Sequence, residues 1–291
     1  LTSSSSLPII GIRDSGAGGL TVARQVHQLL PGIPLLYFAD TAHVPYGDRD
    51  PVEIRHFAFS ITRFLHEQGA NIVIFACNTT SAYALAPARQ QFDIPLLGMI
   101  EGGAEAALTT LAHRTAQPRI GILATSATVK SKMYSQEIIQ RCPRAQCTEI
   151  ACPLFVPLVE ADQIHSVAAF DACSQALRPL LKEGVDAIIL GCTHFPLLLP
   201  TLQKIAPEMT FIDPALGVAQ QTARLIKSTF GESTFNQGTI NEVPDQYYAS
   251  GSTDILQHWI AKLMQPSHPP QIQQAPIFSL ENAATMQSLL S

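Results

Sequence analysis

Residues 75–80 read Phe-Ala-Cys-Asn-Thr-Thr, and residues 190–195 read Leu-Gly-Cys-Thr-His-Phe. Each stretch follows an apolar run and puts one cysteine, Cys77 or Cys192, where the chain turns polar. A thiol between a strand end and a helix start feels the helix N-terminus, which lowers its pKa from about 8.5 toward the working range. Alone, such a cysteine is either a covalent nucleophile or an inert buried thiol. Two in matching corners suit a symmetric task. In racemisation a proton leaves one face of a stereocentre and another arrives on the opposite face. Two groups are needed, each a base in one direction and an acid in the other. A disulfide redox pair needs similar residues but with the sulfurs in contact, the Cβ atoms about 3.5–4.5 Å apart.

A third polar corner, Asp-Ser-Gly-Ala-Gly-Gly at residues 14–19, also follows an apolar run. Its glycines allow tight turns and close backbone approach, and the following helix start would favour an anion. The order of the glycines is not G-x-G-x-x-G, there is no Walker lysine, and Asp14 would repel a pyrophosphate. Nucleotide binding is therefore not expected.

The elements that must hold these corners alternate along the chain. Strands are expected at 8–12, 34–40, 71–76, 94–99, 119–125, 146–152, 186–191 and 209–214, with a short one at 246–250. Helical spacing covers 20–30, 52–69, 102–112, most of 159–184, and 253–264, and a helix after Cys77 is expected to kink or restart at Pro87. The strands are nearly continuous apolar runs, as in parallel sheets buried on both faces, so βαβ units follow. The pattern restarts after about residue 100. Residues 11–15 align with 121–125 at an offset of 110, and residues 73–79 align with 188–194 at an offset of 115, pointing to an imperfect internal duplication. Residues 265–276 read as a proline-rich break, and 279–291 as a terminal helix or tail.

Composition bounds the class. The 291 residues are 46% hydrophobic and 14% charged, with a formal net charge of -5. No basic stripe suggests nucleic acid. Six cysteines in this length are not a secreted disulfide framework, and Cys142, Cys147 and Cys152 lack the tight pairing of a zinc site, so no metal is expected. No run approaches the ~20 apolar residues of a membrane span. Residues 1–8 carry neither the basic nor the apolar segment of a signal peptide, so residues 1–7 are expected to be a flexible tail and the protein cytoplasmic.

Five blocks carry a closer resemblance: DSGAGGLTV (14–22), YFADTAHVPYG (37–47), ACNTTSA (76–82), ACPLFVPLVE (151–160) and LGCTHFPLL (190–198). Together they resemble the cofactor-independent bacterial glutamate racemases. The resemblance implies two pseudo-symmetric three-layer α/β domains with largely parallel sheets and the active site in the cleft between them. The expected domains are 8–100 plus 213–291, and 101–212. By similarity, Cys77 deprotonates D-glutamate and Cys192 deprotonates L-glutamate. Asp14 supports Cys77 and the substrate amine, and His194 supports Cys192 with Glu160 close by. Asn78, Thr79 and Thr193 match binders of the α-carboxylate and amine, and Ser15, Tyr46 and Gly47 those of the far carboxylate. Thr80 and Thr125 are further candidates for the pocket. No cofactor is implied, and the blocks contain no lysine to anchor pyridoxal phosphate.

The implied partners are glutamate and a second copy in a homodimer. Some Gram-negative members with a similar N-terminal extension are activated by a peptidoglycan precursor bound away from the active site, although no motif here marks such a site. Departures from the family pattern are few: Arg13 stands where a bulky uncharged side chain is more usual, Ala39 where glycine is, and Phe195 where tyrosine is. The competing readings are an aspartate or hydantoin racemase, a non-catalytic metabolite binder on the same fold, and a thiol redox protein.

Overall fold

The computed structural model describes residues 7–231, 243–266 and 270–279. Ten strands are present: β1 (Ile10–Asp14), β2 (Leu35–Ala39), β3 (Ile72–Phe75), β4 (Leu96–Gly98), β5 (Arg119–Ala124), β6 (Gln146–Ala151), β7 (Ala187–Gly191), β8 (Phe211–Ile212), β9 (Gln246–Ala249) and β10 (Ile272–Gln274). They form two sheets, β10-β9-β2-β1-β3-β4 and β6-β5-β7-β8, in which every pairing is parallel. β1, β2, β3 and β7 are buried along their whole length, which is why they read as unbroken apolar runs.

The helices between them are α1 (Leu20–Leu29), α2 (Pro51–Glu67), α3 (Asn78–Gln91), α4 (Met99–Leu111), α5 (Ser126–Ser131), α6 (Met133–Arg141), α7 (Phe155–Glu160), α8 (Val167–Glu183), α9 (Leu199–Ile205), α10 (Pro214–Phe230) and α11 (Asp254–Leu263). Ile10 and Ile12 of β1 share one apolar cluster with α1 and α10. Val73 and Phe75 of β3 face the opposite cluster, with α2 and α3. Each sheet is thus the middle of three layers.

The restart in the sequence is a repeat of topology. β2-β1-β3-β4 in one sheet has the same order as β6-β5-β7-β8 in the other. The helices that follow the fourth strand of each copy, α4 and α10, pack on each other through glycines. A Cβ at Gly102 would stand 2.6 Å from the backbone nitrogen of Val218, and one at Gly217 would overlap the Gly102 carbonyl oxygen. Gly102 and Gly217 are 115 positions apart, the same separation as Cys77 and Cys192. Gly217→Ala is therefore expected to lower stability by about 1–3 kcal/mol, the usual penalty of forcing atoms into a filled contact. Urea unfolding of the two proteins checks this, and an unchanged midpoint would contradict it.

The structure refines three local expectations. α3 runs unbroken through Pro87. The carbonyl that Pro87 leaves without an intrahelical donor, that of Tyr83, accepts from Nε of Arg55 at 3.0 Å, so the helix does not restart there. The helix expected over 159–184 is two: α7 ends at Glu160, and Ser166 caps a separate α8 through a bond from the Ala169 N–H. β10 lies inside the stretch read as a proline-rich break. It is a three-residue edge strand held by backbone pairing to β9, with no apolar alternation to announce it. Residues 1–6 and 280–291, which include most of the expected tail and terminal helix, lie outside the described residues.

Candidate active site

In a sheet of order 2-1-3-4, strands 1 and 3 carry their connections to opposite faces, and a crevice opens beyond their C-terminal ends. β1 and β3 deliver Asp14 and Cys77 to one such crevice, and β5 and β7 deliver Thr125 and Cys192 to the other. The two crevices share one cavity. Its wall includes Ser15, Tyr46, Gly47, Cys77, Asn78, Thr79, Thr125, Cys192, Thr193 and His194. Both cysteines are free thiols and nearly buried.

Hydrogen bonds across the cleft hold this wall. Thr193 Oγ1 donates to Asp14 Oδ2 at 3.2 Å, and the Gly16 N–H donates to Asp14 Oδ1 at 3.1 Å. His194 lies 3.8 Å from the Cys192 sulfur through Nδ1 and 2.5 Å from Glu160 Oε1 through Nε2. Thr79 Oγ1 is 2.9 Å from Thr125 Oγ1 and 3.2 Å from Thr128 Oγ1, joining the two halves from the other side. The glycine loop is small for the same reason. A side chain at Gly18 would run into His194 and Thr193, and one at Gly16 would meet Glu160. These two glycines thus pack against the opposite half of the chain.

Burial sets the charges. It pushes the Cys77 thiol up, and the Asp14 charge beside it pushes in the same direction, with Arg13 opposing. The depression expected from the α3 N-terminus is overridden, because desolvation penalises a thiolate more than the helix end favours it. Asp14, wholly buried, is also raised by desolvation, against the pull of His194. Desolvation would lower His194, but bonding to Cys192 and Glu160 outweighs it and holds the imidazole well above its ordinary value. The imidazole so held stands 3.8 Å from the Cys192 sulfur.

Residues 19–222 match the model of the Asp/Glu/Hydantoin racemase family. A glutamate racemase of Desulforudis audaxviator is 42% identical over 251 residues, covering 85% of this chain and 90% of that one. The chain belongs to the glutamate racemase family. It is an amino-acid racemase, an isomerase. Its structure is similar to that of glutamate racemase from Francisella tularensis in complex with D-glutamate, with a TM-score of 0.80 at 26% identity, covering 94% of this chain and 98% of that one. It is also similar to Escherichia coli glutamate racemase in complex with L-glutamate and the activator UDP-MurNAc-ala, with a TM-score of 0.76 at 27% identity, covering 94% and 100%.

Three of the site residues expected for this family member are not on the cavity wall. Asp14 and Glu160 stand behind Thr193 and His194, bonded to them. Thr80 turns away, and its hydroxyl bonds to the Cys77 carbonyl at 2.9 Å. Tyr46 does line the cavity, and its hydroxyl donates to the buried Asp40, which also accepts from Ser250 at 2.6 Å and sits 2.9 Å from His43. Ser250 follows β9, so the C-terminal strand braces the loop that carries Tyr46 and Gly47. Sequence reasoning missed Cys152, Val156 and Ser126 as wall residues, and Tyr134, whose hydroxyl donates to Asn78 Oδ1 at 2.6 Å. Thr128 had a local signal, since Thr125 caps α5 through the Thr128 N–H. Tyr134 had none.

Proposed function

We propose that the protein interconverts L- and D-glutamate by a two-thiol acid–base mechanism, supplying D-glutamate for peptidoglycan in the cytoplasm. The observation that carries this reading is the pair of thiols, Cys77 and Cys192, at equivalent strand ends on the wall of one buried cavity. In one direction the Cys192 thiolate takes the α-proton of L-glutamate, and the Cys77 thiol gives its proton to the opposite face. In the other, Cys77 is the base toward D-glutamate and Cys192 the acid. The hydroxyls of Thr79, Thr125 and Thr193 and the amide of Asn78 serve the α-carboxylate and amine, where charge develops as the carbon acid ionises. Asp14 supports the substrate ammonium from behind, through Thr193, and Glu160 keeps His194 charged beside Cys192. Ser15, Tyr46 and Gly47 hold the far carboxylate. Exclusion of water strengthens each of these contacts.

The same proposal includes the domain division at about residues 100 and 213, a homodimer, and activation by a peptidoglycan precursor of the kind bound by the E. coli relative. The deciding experiment is incubation with L-glutamate, D-glutamate and L-aspartate separately in D₂O, without added cofactor, followed by circular dichroism and NMR. Loss of optical activity from both glutamate enantiomers with α-deuterium gained is expected. Turnover of aspartate alone would move the substrate. Inert glutamate, even with the wall precursor added, would overturn the reading.

A further inference from the structure

Arg13 is fully buried, and no acceptor lies within hydrogen-bonding distance of Nε, Nη1 or Nη2 among the described residues. An unpaired guanidinium in a low-dielectric layer is costly, and cores seldom keep one without a compensating anion. The neighbouring Asp14 carboxylate feels its charge but does not bond to it. Arg13 is in register with Phe75 on the adjacent β3, and its carbonyl accepts the Ala76 N–H at 3.0 Å. Alternation along β3 and beyond puts Phe75 and Cys77 on one face, in the same apolar cluster, while Ile74 and Ala76 take the other. The guanidinium lies on the Phe75 side, its carbon 5.2 Å from the ring centroid. It therefore lies on the face of the sheet that carries Cys77, and it does not line the cavity.

We infer that Arg13 is a positioning residue that stabilises the anionic, base form of Cys77, its buried charge being compensated each time that thiolate forms. The inference rests on the two-thiol reading of the site. Asp14 on β1 and Cys192 across the cleft oppose a thiolate at Cys77, and Tyr37 of β2 and Tyr46 of the loop after it, the latter bonded to Asp40, also feel that charge. Arg13 acts on Asp14 and Tyr46 as well. Arg13 is the cation that acts on Cys77 against both burial and the Asp14 charge.

The test is the pH dependence of iodoacetamide alkylation at Cys77, followed by peptide mass spectrometry in the intact protein, for wild type, Arg13→Met, Arg13→Gln and Arg13→Lys. With Met or Gln the midpoint is expected to move up by about one unit, a tenfold slower reaction at pH 8 for 1.36 kcal/mol. Lys restores most of it, and Cys192 labelling stays unchanged. The racemase kcat/KM falls about tenfold in both directions alike, since the equilibrium constant between enantiomers is one. The melting temperature of Arg13→Met holds or rises, because an apolar side chain of similar size replaces a buried charge. A wild-type Cys77 profile in either neutral variant would overturn the inference, as would equal shifts at both cysteines. Failure of the two-thiol reading is seen separately, as racemisation that survives loss of Cys77, whereas alkylation reads the Arg13–Cys77 coupling without turnover.

Discussion

Replacing Cys77 with alanine is expected to abolish racemisation of both enantiomers, a loss of about 10³- to 10⁴-fold in kcat/KM, while leaving half of the proton chemistry intact. Cys192 and its His194–Glu160 partners are untouched by the change. A thiolate there still removes the α-proton of L-glutamate and returns one to the same face. In D₂O, Cys77→Ala should therefore place α-deuterium into L-glutamate with retention of configuration and leave D-glutamate unlabelled. Cys192→Ala should give the mirror result. The cavity wall has a third thiol, Cys152, but burial pushes it far above the range in which it could act as a base. NMR on each enantiomer decides the matter. If either single variant labels both enantiomers, one group is serving both faces and the two-thiol assignment is wrong.

The second large effect has opposite signs for activity and stability. Asp14→Asn is expected to lower kcat/KM about 10²-fold or more, because the only carboxylate bonded to the Thr193 hydroxyl among the described residues is lost. The same substitution should make the protein more stable at neutral pH. Desolvation raises the folded pKa of Asp14 above its unfolded value. The native state thus holds the neutral acid better than the unfolded chain does. That contribution is whole below about pH 3.9 and is lost as pH rises through the folded pKa, leaving a buried carboxylate that opposes folding. Asparagine keeps the shape and an acceptor for the Gly16 N–H without the charge. Urea unfolding from pH 4 to 8 should show the variant gaining on the wild type as pH rises. A variant that is less stable at pH 7.5, or as active as the wild type, would refute the account of Asp14.

The fold needed little beyond local pattern. Continuous apolar runs such as residues 71–76 and 186–191 announced buried parallel strands, and the helical spacing between them left βαβ units as the arrangement. The errors fell where local signals are weak or a distant group intervenes, as when Arg55 from α2 takes the carbonyl that Pro87 frees and α3 continues. β10 was illegible because pairing with β9, not its own three side chains, makes it a strand.

By itself the sequence determined most strands, the repeat, and the placing of a thiol at two equivalent strand ends, because periodicity and strand-to-helix corners are properties of neighbouring residues. Only the tertiary structure decided which groups meet. Thr193 reaches Asp14 from 179 positions away, and Tyr134 orients Asn78 from 56. It also decided the charges. The Cys77 corner predicts a depressed thiol, yet burial raises it, and Arg13, noted in the sequence only as a departure from the family pattern, is fully buried. Desolvation depends on what packs around a group from every direction, and that is settled only when both halves of the chain have folded against each other.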